Sequence, residues 1–332
     1  MGRCGRVRDG VCIRLYDRED YLSRPLFTPP EIVRANLAAV VLRMLYLNIG
    51  DVFSFPFLDP PAKRQLKDAL DILRELGAIS PVGNLELTAT GRLMARLPVD
   101  PRFARMLIAA AESGCLEEML VIAAALSILD PRERPQDKLA EAERMHARFQ
   151  DPSSDFVGIL KLWQALHREV EGGPAGGRLR KFCRIHYLSW RRIREWQDLH
   201  RQLKGLIREA LPDPAAAKGT SVSETAALYL PPPEPSRDNI VKAPREDPYA
   251  VLHKAILSGF LSGIATKNER NLYRAPKGKT AMIFPGSGLF RRGGTWIVAA
   301  EWVETTRLYA RTVASIEPEW IVEVAGELCN FA

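Results

Sequence analysis

Leu87-Thr88-Ala89-Thr90-Gly91-Arg92-Leu93-Met94-Ala95-Arg96-Leu97-Pro98-Val99-Asp100-Pro101 decides how the chain is divided. Thr88 carries a side-chain acceptor suited to capping a helix start, and Pro98 ends the short helix that follows. Upstream, apolar residues at Ile32, Leu37, Val40, Val41, Met44, Leu45 and Leu47 repeat with helical spacing and stop near Gly50. A second helix runs from about Pro61 through Leu66, Leu70, Leu73 and Leu76, with Gly77 as its C-terminal cap. Ala78-Ile79 and Leu85-Glu86-Leu87, joined through Gly83-Asn84, read as a small hairpin. Helices followed by such a hairpin outline a winged helix.

Downstream of Pro101 the pattern is almost wholly helical as far as Leu211. Met106–Ser113 and Leu116–Leu129 form a helix pair around Gly114. A proline-punctuated connection, Asp130–Gln136, then leads to a charged helix near 137–149. Ser154–Glu169 puts Phe156, Ile159, Leu160, Trp163 and Leu166 on one face. After a glycine-rich stretch at 172–177, a single long basic helix is expected. Its apolar stripe is Leu179, Phe182, Ile185, Ile193, Trp196, Leu199, Leu203 and Leu206. The segment 212–248 holds eight of the 24 prolines and reads as a linker, with a brief helix at Glu224–Leu230. A helix at Tyr249–Leu261 opens a last domain of short strands, Asn271–Tyr273, Ala281–Phe284, Trp296–Trp302 and Arg307–Ser315, cornered by glycines. That spacing suggests a small barrel such as an OB-fold. The expected class is mainly α with a small β-barrel.

Composition excludes several functions. With 46% hydrophobic and 26% charged residues, the 332-residue chain is globular in type. Its richest apolar run, Met119–Leu129, is too short to span a bilayer. Five scattered cysteines with no C-x-x-C suggest reduced thiols and a cytoplasmic protein, with neither a disulfide framework nor a structural metal. The net charge of +7 is unevenly spread. Arg178–Arg208 has ten Lys/Arg against two acids, and Lys267–Arg292 has seven against one, so the remainder is acidic. Two concentrated basic windows suit a polyanion, although a solvated face would look the same.

On the first window, Arg191, Arg192, Arg194 and Arg201 are candidate phosphate contacts, while Trp196 falls on the apolar stripe and reads as core. On the second, Lys267, Arg270, Arg274, Lys277, Lys279, Arg291 and Arg292 cluster in or beside turns, with Ser287 in the glycine turn between them. Basic loops of a small barrel are where single strands are held. Tyr273 and Phe290 could stack there or pack inside the barrel. No G-x-x-x-x-G-K-[ST] loop and no Asp-Glu-Ala-His occurs, and no triad or paired-carboxylate arrangement offers other chemistry. At the start of the chain, Gly2-Arg3-Cys4-Gly5-Arg6 could aim two guanidinium forks at one phosphate or be a basic tail. Val11–Tyr16 after it reads as one strand.

Taken together, these segments resemble the DEAH/RHA helicase family, most closely its bacterial HrpA-type members. Gly2–Tyr16 resembles the end of the family's motif VI and the strand after it. Arg24–Leu37, Leu76–Ile79 and Leu87–Pro101 resemble its winged helix. Ala125–Pro135 and Ile193–Leu199 resemble its helical ratchet, and Phe284–Phe290 and Trp302–Tyr309 its OB-fold. The resemblance implies five parts. They are a remnant of the second RecA-like domain at 1–24, a winged helix at 25–100, a ratchet at 101–211, the linker at 212–248 and an OB-fold at 249–332. It further implies that Arg3 and Arg6 are arginine fingers, working only against ATP and Mg2+ held by a first RecA-like domain that this sequence lacks. The expected partner is single-stranded RNA, gripped but not translocated by this chain alone. A competing expectation is an adaptor that docks ribosomal or regulatory proteins.

Overall fold

The computed structural model describes residues 7–25, 27, 36–80, 85–170, 175–210 and 247–326. Its first element, α1 (Arg18–Ser23), buries no residue. Val11–Tyr16 forms no strand: Val11, Ile13 and Leu15 are at least 82% exposed, with no neighbouring strand among the described residues to pair with.

Three helices build the winged helix, α2 (Leu37–Leu47), α3 (Lys63–Glu75) and α4 (Ala89–Arg96). Gly77 takes φ 64°, which lets the Ala78 N–H turn back to the Leu73 carbonyl at 2.8 Å and closes α3. Among the described residues the wing strands meet at a bridge between Ile79 and Leu87, with Ser80 N donating to Glu86 O at 3.0 Å. Thr88 caps α4 as its sequence predicts. Its Oγ1 accepts from Gly91 N at 2.9 Å and donates to the Gly77 carbonyl at 2.6 Å. The α4 backbone thereby comes so close to Ala78 that a Cβ at Gly91 would lie 1.9 Å from the Ala78 oxygen.

The ratchet comprises α5 (Pro101–Ser113), α6 (Leu116–Leu126), α7 (Leu139–Ala147), α8 (Asp155–Val170), α9 (Ala175–Ile185) and α10 (Trp190–Ala210). Trp196 is 1% exposed and donates from Nε1 to the Val121 carbonyl at 3.0 Å, so it is core. The long basic helix expected from the sequence is two helices. Tyr187 adopts φ 51° between them, and the turn is stapled to the α6–α7 connection. The staples are Glu133 N to Tyr187 O and Ser189 N to Pro131 O, each 2.8 Å, with a bridge between Arg132 and Leu188. Ile185, placed on the continuous stripe, is 45% exposed because the stripe's phase restarts at Ile193.

The helix α11 (Pro248–Gly259) lies along α5, so tightly that a Cβ at Gly259 would meet the Arg102 carbonyl at 2.6 Å. Five strands follow: β1 (Ile264–Glu269), β2 (Leu272–Arg274), β3 (Thr280–Ile283), β4 (Trp296–Glu304) and β5 (Leu308–Ile316). They close in the order β1-β2-β3-β5-β4, with only β3 and β5 parallel. Tyr273, Ile283, Leu289, Ile297 and Val313 fill the barrel, and α12 (Pro318–Ala325) packs on α11. Because the Tyr273 ring is buried and its hydroxyl donates to the Gly294 carbonyl at 3.1 Å, it packs rather than stacks on a ligand.

Candidate nucleic-acid interface

Ratchet and barrel meet around a cleft of about 510 Å3. The α6–α7 connection, α7 and α8 form one wall; the segment after β3 and the middles of β4 and β5 form the other. Arg132 and Arg134 stand on the ratchet side, anchored to Asp130 at 2.9 and 3.9 Å. Burial pushes the Asp130 carboxyl upward, but Arg132 and Arg134 outweigh it and hold the group below its usual range. On the barrel side the Arg311 guanidinium lies 4.6 Å over the Phe284 ring, and Tyr309 meets that ring edge-on at 6.0 Å. Gly286 folds back over Phe284, its carbonyl accepting from Gln150 Nε2 at 3.2 Å. The next residue along β5 from Arg311 is Thr312, which lines the cleft with φ 50°. A β-branched residue seldom adopts that conformation, so backbone strain is stored at the cleft wall. An aromatic face, partly exposed and flanked by fixed guanidinia, can stack an unpaired base while the arginines meet its phosphates.

Five consecutive residues, Asp151-Pro152-Ser153-Ser154-Asp155, hold the two walls together. Ser154 bridges to Ala314 as an extra edge beside β5, and Ser315 N donates to Ser153 O at 2.9 Å. Asp151 accepts from Ser153 and Ser154 and pairs with Lys161 at 2.7 Å; despite burial, these hold its carboxyl at about 2. At the first position of α8, Asp155 accepts from Ser287 Oγ (2.7 Å), Gly288 N (3.0 Å) and Val313 N (2.9 Å). Burial still raises its carboxyl above the ordinary value.

Beneath this segment, the wholly buried His253 shares a 2.7 Å hydrogen bond between Nε2 and the Ser154 hydroxyl, and its Nδ1 sits 2.7 Å from the Tyr249 carbonyl. Burial drives its imidazole down to about 4 from 6.5. The unfolded chain therefore takes the proton first. The contribution is complete above about pH 6.5 and is lost as pH falls towards 4, amounting to about 3 kcal/mol. Denaturant titrations of the wild type and His253→Gln should show a stability gap that narrows by about that amount between pH 7 and 4. A gap independent of pH would contradict the assignment.

The residues expected from the sequence divide among several places. Arg3 and Arg6 lie outside the described residues, as does the Lys277 side chain. Arg192 donates to the Asp130 carbonyl at 2.7 Å on the cleft rim, whereas Arg201 pairs with Asp198. Arg191 and Arg194 are exposed elsewhere on α10. Arg270 and Arg291 come together at one end of the barrel, where Arg291 N donates to Asn271 Oδ1 at 3.2 Å. Arg292 follows there, and Lys267 Nζ donates to the Gly293 carbonyl at 2.8 Å. Arg274 and Lys279 flank the β2–β3 turn at the opposite end, with Lys279 paired to Glu304 at 2.9 Å. Ser287 lines the cleft with its hydroxyl engaged by Asp155. Sequence reading missed Arg132, Arg134, Phe284 and Arg311. The first two were visible as paired arginines between Pro131 and Pro135; nothing local marks Arg311, because its neighbour Phe284 arrives from the segment after β3.

A winged helix, a helical ratchet and an OB barrel joined in this order define the helicase-associated class of nucleic-acid-handling proteins. Comparison with known families agrees. Residues 69–99 match the winged-helix part of the helicase associated domain (HA2), 100–158 its ratchet-like part, and 252–328 the oligonucleotide/oligosaccharide-binding (OB)-fold family. The chain belongs to the DEAH-box RNA helicase family, within its HrpA-type members, as the C-terminal helicase region. It is 42% identical over 331 residues to the ATP-dependent RNA helicase HrpA of Escherichia coli (strain K12), and 43% identical over 333 residues to the HrpA homolog of Haemophilus influenzae. Each alignment covers 98% of this chain and 23% of the relative. The pre-mRNA-splicing factor ATP-dependent RNA helicase prp22 of Schizosaccharomyces pombe is 30% identical across the full chain, which covers 25% of it. The chain thus spans about a quarter of the length of these relatives.

Proposed function

We propose that this chain is the RNA-gripping part of an ATP-dependent, 3′-to-5′ DEAH-box helicase, holding single-stranded RNA in the ratchet–barrel cleft. The observation that carries the reading is the placement of Arg132, Arg134 and Arg311 around Phe284, on walls supplied by two domains. In this reading residues 1–24 belong to a RecA-like domain, and Arg3 and Arg6 serve ATP and Mg2+ bound by a partner domain. Without a P-loop or Asp-Glu-Ala-His in its sequence the chain binds RNA and turns over no ATP by itself. The protein works in the cytoplasm.

Titration of labelled oligo(U) at rising salt tests the reading. Binding should weaken steeply with salt, and Arg132→Glu/Arg311→Glu should lower affinity at least tenfold while flattening the salt slope by about 1.4, the share of two phosphate contacts on a single strand. Absence of oligo(U) binding at low salt would sink it. A second reading, docking of ribosomal or regulatory proteins, draws on the exposed apolar residues Leu47, Ile49, Phe53 and Leu58 of the winged helix. Partner capture that survives nuclease treatment, together with no RNA affinity, would favour that reading.

A further inference from the structure

The left-handed Tyr187 turn folds α9 back beside α10 and creates an outer corner that the cleft does not use. Three of the six Lys/Arg on α10 are already engaged: Arg192 by the Asp130 carbonyl, Arg201 by Asp198, and Lys204 by Glu117 at 2.7 Å. Arg180 and Arg184 on α9 and Arg191 and Arg194 on α10 are different. All four are exposed, and none pairs with a carboxylate among the described residues. At 3.6 residues per turn, Arg191 and Arg194 lie about 60° apart around α10, and Arg192 is at least about 100° from either, so the cleft-facing and outward arginines occupy different sides. Trp190 gathers the outward set, with the Arg180 guanidinium 4.5 Å and that of Arg194 5.8 Å from its ring centre. Arg178 and Lys181 extend the positive field along α9.

We propose that this α9–α10 corner is a second RNA-binding surface, separate from the cleft, that takes the phosphate backbone of a base-paired segment. Ile185 is the one exposed large apolar side chain among the described residues of the two helices, so the corner lacks the desolvated centre that a protein interface needs. Single strands are held on aromatic faces; where one guanidinium lies on Phe284 in the cleft, two lie on Trp190, and its Nε1 is closed off from solvent. A surface that offers charge without a stacking platform reads phosphates, and helical RNA is recognised in that way.

The test uses the whole chain and two probes, a blunt RNA hairpin closed by a short loop and a single-stranded oligo(U). Arg180→Glu/Arg191→Glu/Arg194→Glu should reduce hairpin affinity at least tenfold and make its salt slope shallower by about 2 to 3. Oligo(U) affinity should stay within twofold, while the cleft variant Arg132→Glu/Arg311→Glu should do the reverse. If circular dichroism shows the glutamate variant unfolded, the glutamine triple variant gives the same comparison with a smaller loss. Hairpin binding that survives these substitutions would overturn the proposal, as would equal losses for hairpin and oligo(U), which would mean one shared path. So would retention of polyglutamate but not the hairpin through the same three arginines, which would make the corner a protein-docking surface.

Discussion

Replacing Asp155 with alanine should cost about 3–5 kcal/mol and uncouple the barrel from the ratchet. Its carboxylate is the acceptor for three donors from two separate parts of the barrel, Ser287 Oγ, Gly288 N and Val313 N. Truncation strands all three, and a buried donor without a partner costs about 1–3 kcal/mol. Relief of the buried charge offsets part of that sum, since burial already raises the Asp155 carboxyl. Asparagine is a poorer remedy than its shape suggests, because its amide nitrogen would face an N–H or hydroxyl donor. Guanidinium unfolding followed by tryptophan fluorescence and by proteolysis within 264–316 should show the barrel opening first in the alanine variant. A single cooperative transition shifted by less than 1 kcal/mol would show that the carboxylate is not the joint described above.

Gly91→Ala should be comparably damaging for a different reason. The added methyl group would sit 1.9 Å from the Ala78 carbonyl oxygen and 2.8 Å from its carbon, both backbone atoms with no rotamer to give way. Either α4 moves off the wing or the Thr88 cap breaks. The first opens the core around Met94 and Leu73, and the second removes the bonds to Gly91 N and the Gly77 carbonyl. We expect a loss of about 3 kcal/mol or more, against the gain of a few tenths to 1 kcal/mol that Gly-to-Ala gives in an open helix. Thermal melts of Gly91→Ala beside Gly205→Ala, an α10 glycine whose Cβ would meet nothing within 4 Å, separate the two effects. Equal melting temperatures would refute the close approach.

Local chemistry made much of the fold readable. Thr88 announced α4, Gly77 and Gly114 closed the helices before them, and glycine corners at 278, 286–288 and 293–294 bordered β2, β3 and β4. What escaped was set by partners distant in sequence. Ile264–Glu269 is half polar and ends in charged residues, so no strand is expected there from the sequence. It becomes β1 because β2 and β4 lie on either side of it. The α9–α10 break carries neither proline nor glycine, and the turn at Tyr187 exists because residues 131–133 supply its hydrogen bonds. The cleft failed to show for the same reason: nothing local marks Phe284 or Arg311, and Arg132 meets them only when two domains come together. Counting cations along the sequence could not tell an arginine held by Asp130 or Asp198 from one left facing outward.

Arg102 sits where all three folded parts meet. Its guanidinium donates to the Gly259 carbonyl at 3.0 Å and lies 3.5 Å from Glu75, whose carboxylate also accepts from Ser262 N at 2.8 Å. With α11 seated along α5, the seams of packing do not follow the seams of sequence. Anyone dissecting this protein by cutting within 211–246 would strip the ratchet of a helix it buries and leave the barrel carrying an apolar surface in its place. The smallest piece expected to behave well on its own is the three-part block. Swapping one part between relatives should succeed only when the matching halves of this corner travel with it.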